Sequence, residues 1–418
     1  MNYKEETLSN NLKLLFLEKS DSPLCSLLLF VNFGVRNEKD NTCGLAAFIT
    51  NLILRGSQKY QNDLALGTVL DNLGGYFNTE VQKEYTTYYI KLMGEKLGEA
   101  ADFFAELLSN PVFVLAEVDR EKKLCRSDIE NRKKNPEQVT MDEFLNIAYG
   151  GSSLGSSGIA NDKFTDSIKR DDLVSYHGQY YCGSNMIAVV VGPKEAYETQ
   201  IGKIKEGLNK IPAGTRTSFE PFESQSVKPE AKRIEFESGD NVYITFGYPG
   251  VARYDEDRRI VDFIETILSR GRANERLLPI YLKRTPAIAI RTTNQVFSDC
   301  GEYIVQLLAH RNTVRLAYQQ IIEQMEVIKN REIGNEEMKR MKNWYTGSLT
   351  IQVADPTEFG FFHALSYIFN DGKIVTYQEA IEKIKSIKTD EVMEVGKKIF
   401  DQEKMAVVMV GKNLDQLS

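Results

Sequence analysis

Gly44-Leu45-Ala46-Ala47-Phe48-Ile49-Thr50-Asn51-Leu52-Ile53-Leu54-Arg55-Gly56-Ser57 is the stretch whose reading decides the fold. Leu45, Phe48, Ile49, Leu52 and Ile53 recur at i, i+3, i+4, i+7 and i+8. That spacing is the apolar stripe of a buried amphipathic helix. Upstream, Glu38-Lys39-Asp40-Asn41 reads as a polar loop into this helix, after two strands at 7–16 and 26–33. Downstream, the pattern predicts a helix over 62–73 stopped by Gly74-Gly75, then strands at 76–81 and 85–92. Helices follow at 96–108 and 115–133, ended by Asn110-Pro111 and Asn135-Pro136. The glycine- and serine-rich run 150–158 reads as a flexible loop. A helix start at 167–173 carries Asp171 and Asp172, and the strand 185–192 closes this half.

The second half repeats the plan. Its last strand, 404–411, echoes 185–192 in being Val-rich, glycine-ended and preceded by a helix. The order of elements favours a duplication. The expected fold is α+β, with two homologous domains, each a mainly antiparallel sheet packed with helices. The domains are expected at 1–212 and 230–418, joined by a Ser-, Pro-, Gly- and Glu-rich linker at 213–229.

A length of 418 residues with 42% hydrophobic content supports more than one core. A formal charge of -7 speaks against a nucleic-acid partner, which requires a basic face. No apolar run approaches the roughly 20 residues of a membrane span, so no transmembrane segment is expected. The polar N-terminus reads as neither a signal nor a transit peptide. The expected compartment is the cytoplasm, the alternative a mitochondrial-type matrix with the presequence absent from this chain. Five scattered cysteines without C-x-x-C spacing suggest buried free thiols. His177, His310 and His363 stand far apart and read as ordinary polar residues.

The frame of the opening helix resembles that of the inverzincin zinc peptidases, the family of pitrilysin, insulin-degrading enzyme and the mitochondrial processing peptidase. Gly44-Leu45-Ala46 leads the helix and Arg55-Gly56-Ser57 trails it, after Gly34-Val35-Arg36-Asn37-Glu38. Further segments are similar in order and spacing: 73–79, 108–113, 120–129, 181–192 and 267–277. The family's helix carries H-x-x-E-H. Here Ala47 and Asn51 stand where the two histidines should be, and Thr50 stands for the general-base glutamate. By the resemblance Asp128 matches the third ligand and Glu121 its supporting acid. Read from the residues alone, Glu121 and Asp128 belong to a solvated helix face among Lys122, Lys123 and Arg126. In the second half the resemblance places Lys283 and Ile290 where an arginine and a tyrosine would hold substrate.

Such a site needs two neutral imidazoles, one carboxylate and a base. Ala47 has no donor atom, Asn51 is a weak neutral ligand, Thr50 is no base near neutral pH, and Ile290 donates no hydrogen bond. No catalytic residue and no metal are therefore expected in this chain. Zinc is expected only in a partner, an active homologous zinc peptidase subunit. Family members grip an extended peptide along a sheet edge, and Gly75, Tyr76, Phe77, Asn78 and Thr79 resemble that edge. The function expected is that of a non-catalytic, pseudo-peptidase subunit. The alternatives are a scaffold similar to the core proteins of the cytochrome bc1 complex and an active zinc peptidase with a relocated site.

Overall fold

The computed structural model describes residues 2–222, 230–282 and 287–417. The first sheet comprises β1 (Tyr3–Thr7), β2 (Lys13–Glu18), β3 (Leu24–Val31), β4 (Tyr76–Val81), β5 (Thr86–Met93) and β6 (Met186–Gly192). Their order is β1-β2-β6-β3-β5-β4. The second comprises β7 (Ala231–Glu235), β8 (Asn241–Pro249), β9 (Ala287–Val296), β10 (Gly301–His310) and β11 (Ala406–Gly411), ordered β7-β11-β8-β10-β9. With β1 set aside, the two orders coincide position by position.

The pairing senses coincide too. β6 runs parallel to β2 and antiparallel to β3, as β11 runs parallel to β7 and antiparallel to β8. The intervening helices follow suit. Two helices, Leu45–Ile53 and Asp63–Leu73, separate β3 from β4, as Arg258–Ser269 and Leu278–Leu282 separate β8 from β9. The duplication thus extends through the whole element order. The fold is the expected α+β arrangement of two repeats.

The chain forms two compact units, but not as two continuous halves. Met1–Glu130, Gly158–Glu220 and Gln352–Ser366 make the first; Asn131–Ser157, Pro221–Ile351 and Tyr367–Ser418 make the second. The sequence division at 212 and 230 is thus crossed by two exchanged segments. Apolar packing explains both. In the second unit, Phe144, Leu145, Ile147 and Ala148 of the Pro136–Ala148 helix cluster with Ile304, Ala406, Val408 and Val410. In the first, Phe361 of the Pro356–Phe369 helix meets Phe30 and Tyr89 edge-on, and Thr357 hydrogen-bonds Ser26 at 2.8 Å.

Two loop readings change. The run 150–158 contains a helical turn, Ser153–Gly155, and Leu154 is fully buried. The linker's first part is fastened to the first unit. Thr217 donates its N–H to Asn185 Oδ1 (2.9 Å) and its hydroxyl to the Asn32 carbonyl (3.0 Å). Arg36, ion-paired with buried Glu84 at 2.8 Å, stacks over Phe219 and donates to the Glu220 carbonyl. Residues 223–229 of that expected linker lie outside the described residues.

In the second unit Glu302 of β10 is 4% exposed, and among the described residues no charge or hydrogen bond offsets the burial of its carboxyl. Burial pushes its carboxyl up to about 8. The folded chain therefore holds a proton that the unfolded chain releases above about 4.5, and stability falls as pH climbs through that window. Glu302→Gln is expected to stabilise the protein by about 1–3 kcal/mol at pH values above the folded pKa. The gain should vanish at about pH 4. Thermal melts of both proteins across the range check this. A difference that does not change with pH would contradict it.

Candidate functional site

The helix that carries the altered motif runs Leu45–Ile53 and starts from Gly44 at φ +91. A Cβ at Gly44 would meet the Ala160 backbone at 2.4 Å, so only glycine fits. Glu38 caps the helix. Its carboxylate accepts the N–H of Gly44 (2.8 Å) and of Ala46 (2.9 Å), donors the helix itself leaves unpaired. Leu45, Phe48, Ile49, Leu52 and Ile53 are all buried, as their spacing predicts.

At the degenerate positions the structure shows what replaces the expected chemistry. Ala47 is half-buried and presents only a methyl group. Thr50 is buried, and its hydroxyl donates to the Ala46 carbonyl at 2.8 Å. It accepts from the Tyr88 hydroxyl at 3.4 Å, which in turn lies 2.9 Å from the Tyr181 hydroxyl. Because Tyr88 spends its proton on Thr50, Tyr181 donates to Tyr88. Burial pushes Tyr181 up to about 12 and Tyr88 well above the ordinary phenol value, so both phenols keep their protons. Thr50 thus belongs to a chain of hydroxyls directed into the helix backbone.

Asn51 is exposed and donates Nδ2–H to Glu121 Oε1 at 2.7 Å. Glu121 lies on the Leu115–Lys133 helix and is 4% exposed. The reading of Glu121 as part of a solvated face is therefore corrected: it points inward, because Asn51 offers it a donor. Asp128 is exposed, as that reading expected. Cys125 lies one turn after Glu121, and burial followed by the charges of Glu121 and Asp128 pushes its thiol up to about 12. It is an inert thiol.

Ala47, Asn51, Glu121 and Asp128 supply no imidazole, and the amide of Asn51 is already committed to a carboxylate. This donor set does not fit the two-imidazole zinc site of the family. Among the described residues no three His, Cys, Asp or Glu side chains are grouped so as to hold a metal ion. The histidines are engaged elsewhere. His177 bonds the Leu108 carbonyl at 3.0 Å and stacks on Tyr181, and burial pushes it down to about 4. His363 bonds the Phe359 carbonyl, and His310 ends β10 beside Asp240.

In the second unit Ile290 lies in β9 opposite Leu307, an apolar pair. Lys283 lies outside the described residues.

Residues Tyr76 to Thr79 lie in β4, the edge strand of the first sheet, and Gly75 leads into it. At Gly75 a Cβ would meet Ile90 and the Lys91 carbonyl at 2.9 Å, so the chain turns tightly into the strand. Phe77 packs on Phe103 and Phe104, whereas Tyr76 is 63% exposed. Thr79 N–H is taken by Asn78 Oδ1 at 2.8 Å. That bond places the Thr79 N–H, and with it the N–H groups of Phe77 and Val81, on the open side of the strand. Asn78 as a cap on the edge was not legible in the sequence, because it depends on the strand's register.

Comparisons with known proteins give the chain's relatives. Residues 14–162 match insulinase (peptidase family M16), and residues 167–345 match the peptidase M16 inactive domain. An uncharacterized zinc protease of Rickettsia bellii is 21% identical over 99% of this chain and 98% of its own length. The mitochondrial-processing peptidase subunit beta of Rattus norvegicus is 27% identical over 42% of this chain and 36% of its own. A solved peptidase M16 inactive domain from Pseudomonas fluorescens superposes with a TM-score of 0.88, at 19% identity, covering 99% of both chains. A chain of complex III2 from Candida albicans gives 0.80 at 17% identity, covering 98% of this chain and 95% of its own. Among the described residues no helix is long and apolar enough to cross a membrane.

Thr50→Val is expected to cost about 1–2 kcal/mol, because it leaves Tyr88 buried without its acceptor. Tyr88→Phe in the Thr50→Val background should not restore that loss, because it leaves the buried Tyr181 hydroxyl without its acceptor in turn. Urea unfolding of the single and double variants measures both. Full stability in Thr50→Val alone would mean the hydroxyl chain contributes nothing.

Proposed function

Since this chain belongs to peptidase family M16, we propose that it is a non-catalytic subunit of a heterodimeric zinc metallopeptidase. It helps bind extended peptide substrates and completes the substrate chamber of an active, homologous zinc peptidase subunit. The observation that carries this reading is a contrast within one unit. The helix Leu45–Ile53 has lost imidazoles and base, while the strand beside it keeps an open edge.

The chemistry of the edge supports it. Main-chain hydrogen bonding to an added strand requires no metal ligand. The outward N–H groups of Phe77, Thr79 and Val81 are donors for the carbonyls of a peptide. Asn78 occupies one of them and would swing aside when a carbonyl arrives, exchanging one hydrogen bond for another. Holding a substrate in place lowers the barrier for whichever subunit carries out the hydrolysis. In this reading the chain is not an enzyme on its own and takes no cofactor, and zinc resides in the partner.

The likeness to a complex III chain supports a second reading, a structural scaffold similar to the core subunits of that assembly. The two readings differ in whether a partner's cleavage depends on β4.

Two measurements test this. After dialysis the purified chain should hold far less than one zinc per molecule by elemental analysis; a ratio near one, lost in Asp128→Ala, would overturn the assignment. Mixed with an active homologue, the chain should raise peptide cleavage. Thr79→Pro should then increase the apparent KM severalfold while the pair persists, since proline removes an outward donor. Equal cleavage with and without the chain, where the pair is shown to form, would favour the scaffold.

A further inference from the structure

We propose that Asn51 reads the peptide backbone: its side-chain amide, oriented by Glu121, hydrogen-bonds the main chain of a peptide laid along β4. This rests on the reading of β4 as a peptide-binding edge and adds a residue to it. A carboxylate only accepts hydrogen bonds. The Asn51–Glu121 contact at 2.7 Å therefore fixes the amide with its NH2 toward Glu121 and its Oδ1 turned away. Among the described residues Asn51 is the one hydrogen-bond donor to Glu121, so nothing competes for that orientation. One N–H and Oδ1 remain, on a side chain that is exposed. One helical turn back, Ala47 adds no bulk over it.

The position suits a strand added to β4. The helix carrying Asn51 packs against β4. Thr79 stands opposite Tyr88 in the register, and the Tyr88 hydroxyl touches Thr50, the residue before Asn51. The amide thus lies on the face of the sheet that Phe77 and Thr79 share. A residue in an extended peptide turns its N–H and C=O to the same side. A donor and an acceptor displayed together match that pair, whatever side chain the residue carries. The ligand class is accordingly extended, unstructured peptide recognised through its main chain, with no demand for charge.

The test is fluorescence anisotropy of the full-length chain with a labelled unstructured peptide that lacks acidic and basic side chains. Asn51→Leu is expected to raise Kd about tenfold, the worth of one to two hydrogen bonds. Asn51→Asp, which places a second acceptor against Glu121, should weaken binding at least as much. Melting temperatures are expected to fall, because each variant leaves buried Glu121 without its donor, so Kd is read at a temperature where every variant is shown to be folded. Asn51→Ser, expected to show the same loss, replaces the leucine variant should the latter disturb folding. Parent-like binding in all Asn51 variants, with binding abolished in Thr79→Pro, would overturn the role of Asn51 and leave the edge strand standing. Binding unchanged in Thr79→Pro as well, or absent in the parent, would overturn the edge-strand reading too.

Discussion

Two buried carboxyl groups hold the helix Leu45–Ile53. Glu38 accepts the N–H groups of Gly44 and Ala46 at its start, and Glu121 accepts the amide of Asn51 near its end. Both acids are buried, 6% and 4% exposed, where a polar group without a partner is costly, and burial pushes the Glu38 carboxyl up to about 8. The helix must therefore keep its donors aimed at them. That fixes its height over the sheet and the direction in which its altered motif faces. The hydroxyl chain from Tyr181 through Tyr88 to Thr50 adds a third tether from below. A site that does not fit a metal is thus still rigidly built.

The second repeat solves the same problem with different residues. Its corresponding helix, Arg258–Ser269, carries Asp262, which accepts from Tyr345 (3.0 Å) on the Asn335–Gln352 helix and from Asn294 (2.9 Å) on β9. In both repeats a polar bond ties the helix after β3 or β8 to the second helix after the hairpin β4–β5 or β9–β10. In the first repeat the bond is made by Asn51, at the position that the resemblance matches to a histidine of the motif. In the second, matched by the peptidase M16 inactive domain, it is an ion-paired cluster with Arg258 and Arg259. Both repeats carry a polar link there, with different chemistry in each.

The exchanged segments have a comparable logic. Residues 131–157 and 352–366 occupy corresponding places in the two repeats. Each brings apolar side chains to a sheet: Phe144 and Leu145 cluster with Val408 and Val410, and Phe361 meets Phe30 and Tyr89. Hydrophobic burial is indifferent to chain distance, so the exchange is invisible to periodicity, which reports only that a face is apolar.

The sequence by itself placed most of the elements it named, the repeat and the residues at the motif positions. It drew one strand over 7–16, where β1 ends at Thr7 and β2 begins at Lys13 because 8–12 close on themselves as a turn. Strand 76–81 and helix 115–133 fall where patterning and breakers put them, because alternation and Asn-Pro stops act over a few residues. Ala47, Thr50 and Asn51 announce the missing imidazoles and base by their identity alone. Only the tertiary structure decided that Glu121 points inward while Asp128 stays in solvent, since both lie on one helix and differ in what faces them. It alone placed the Thr79 N–H on the open side of β4 and gave Asn78 the task of covering it. The physical reason is the same each time. A buried polar group is defined by its partner, and its partner is brought by folding from tens of residues away.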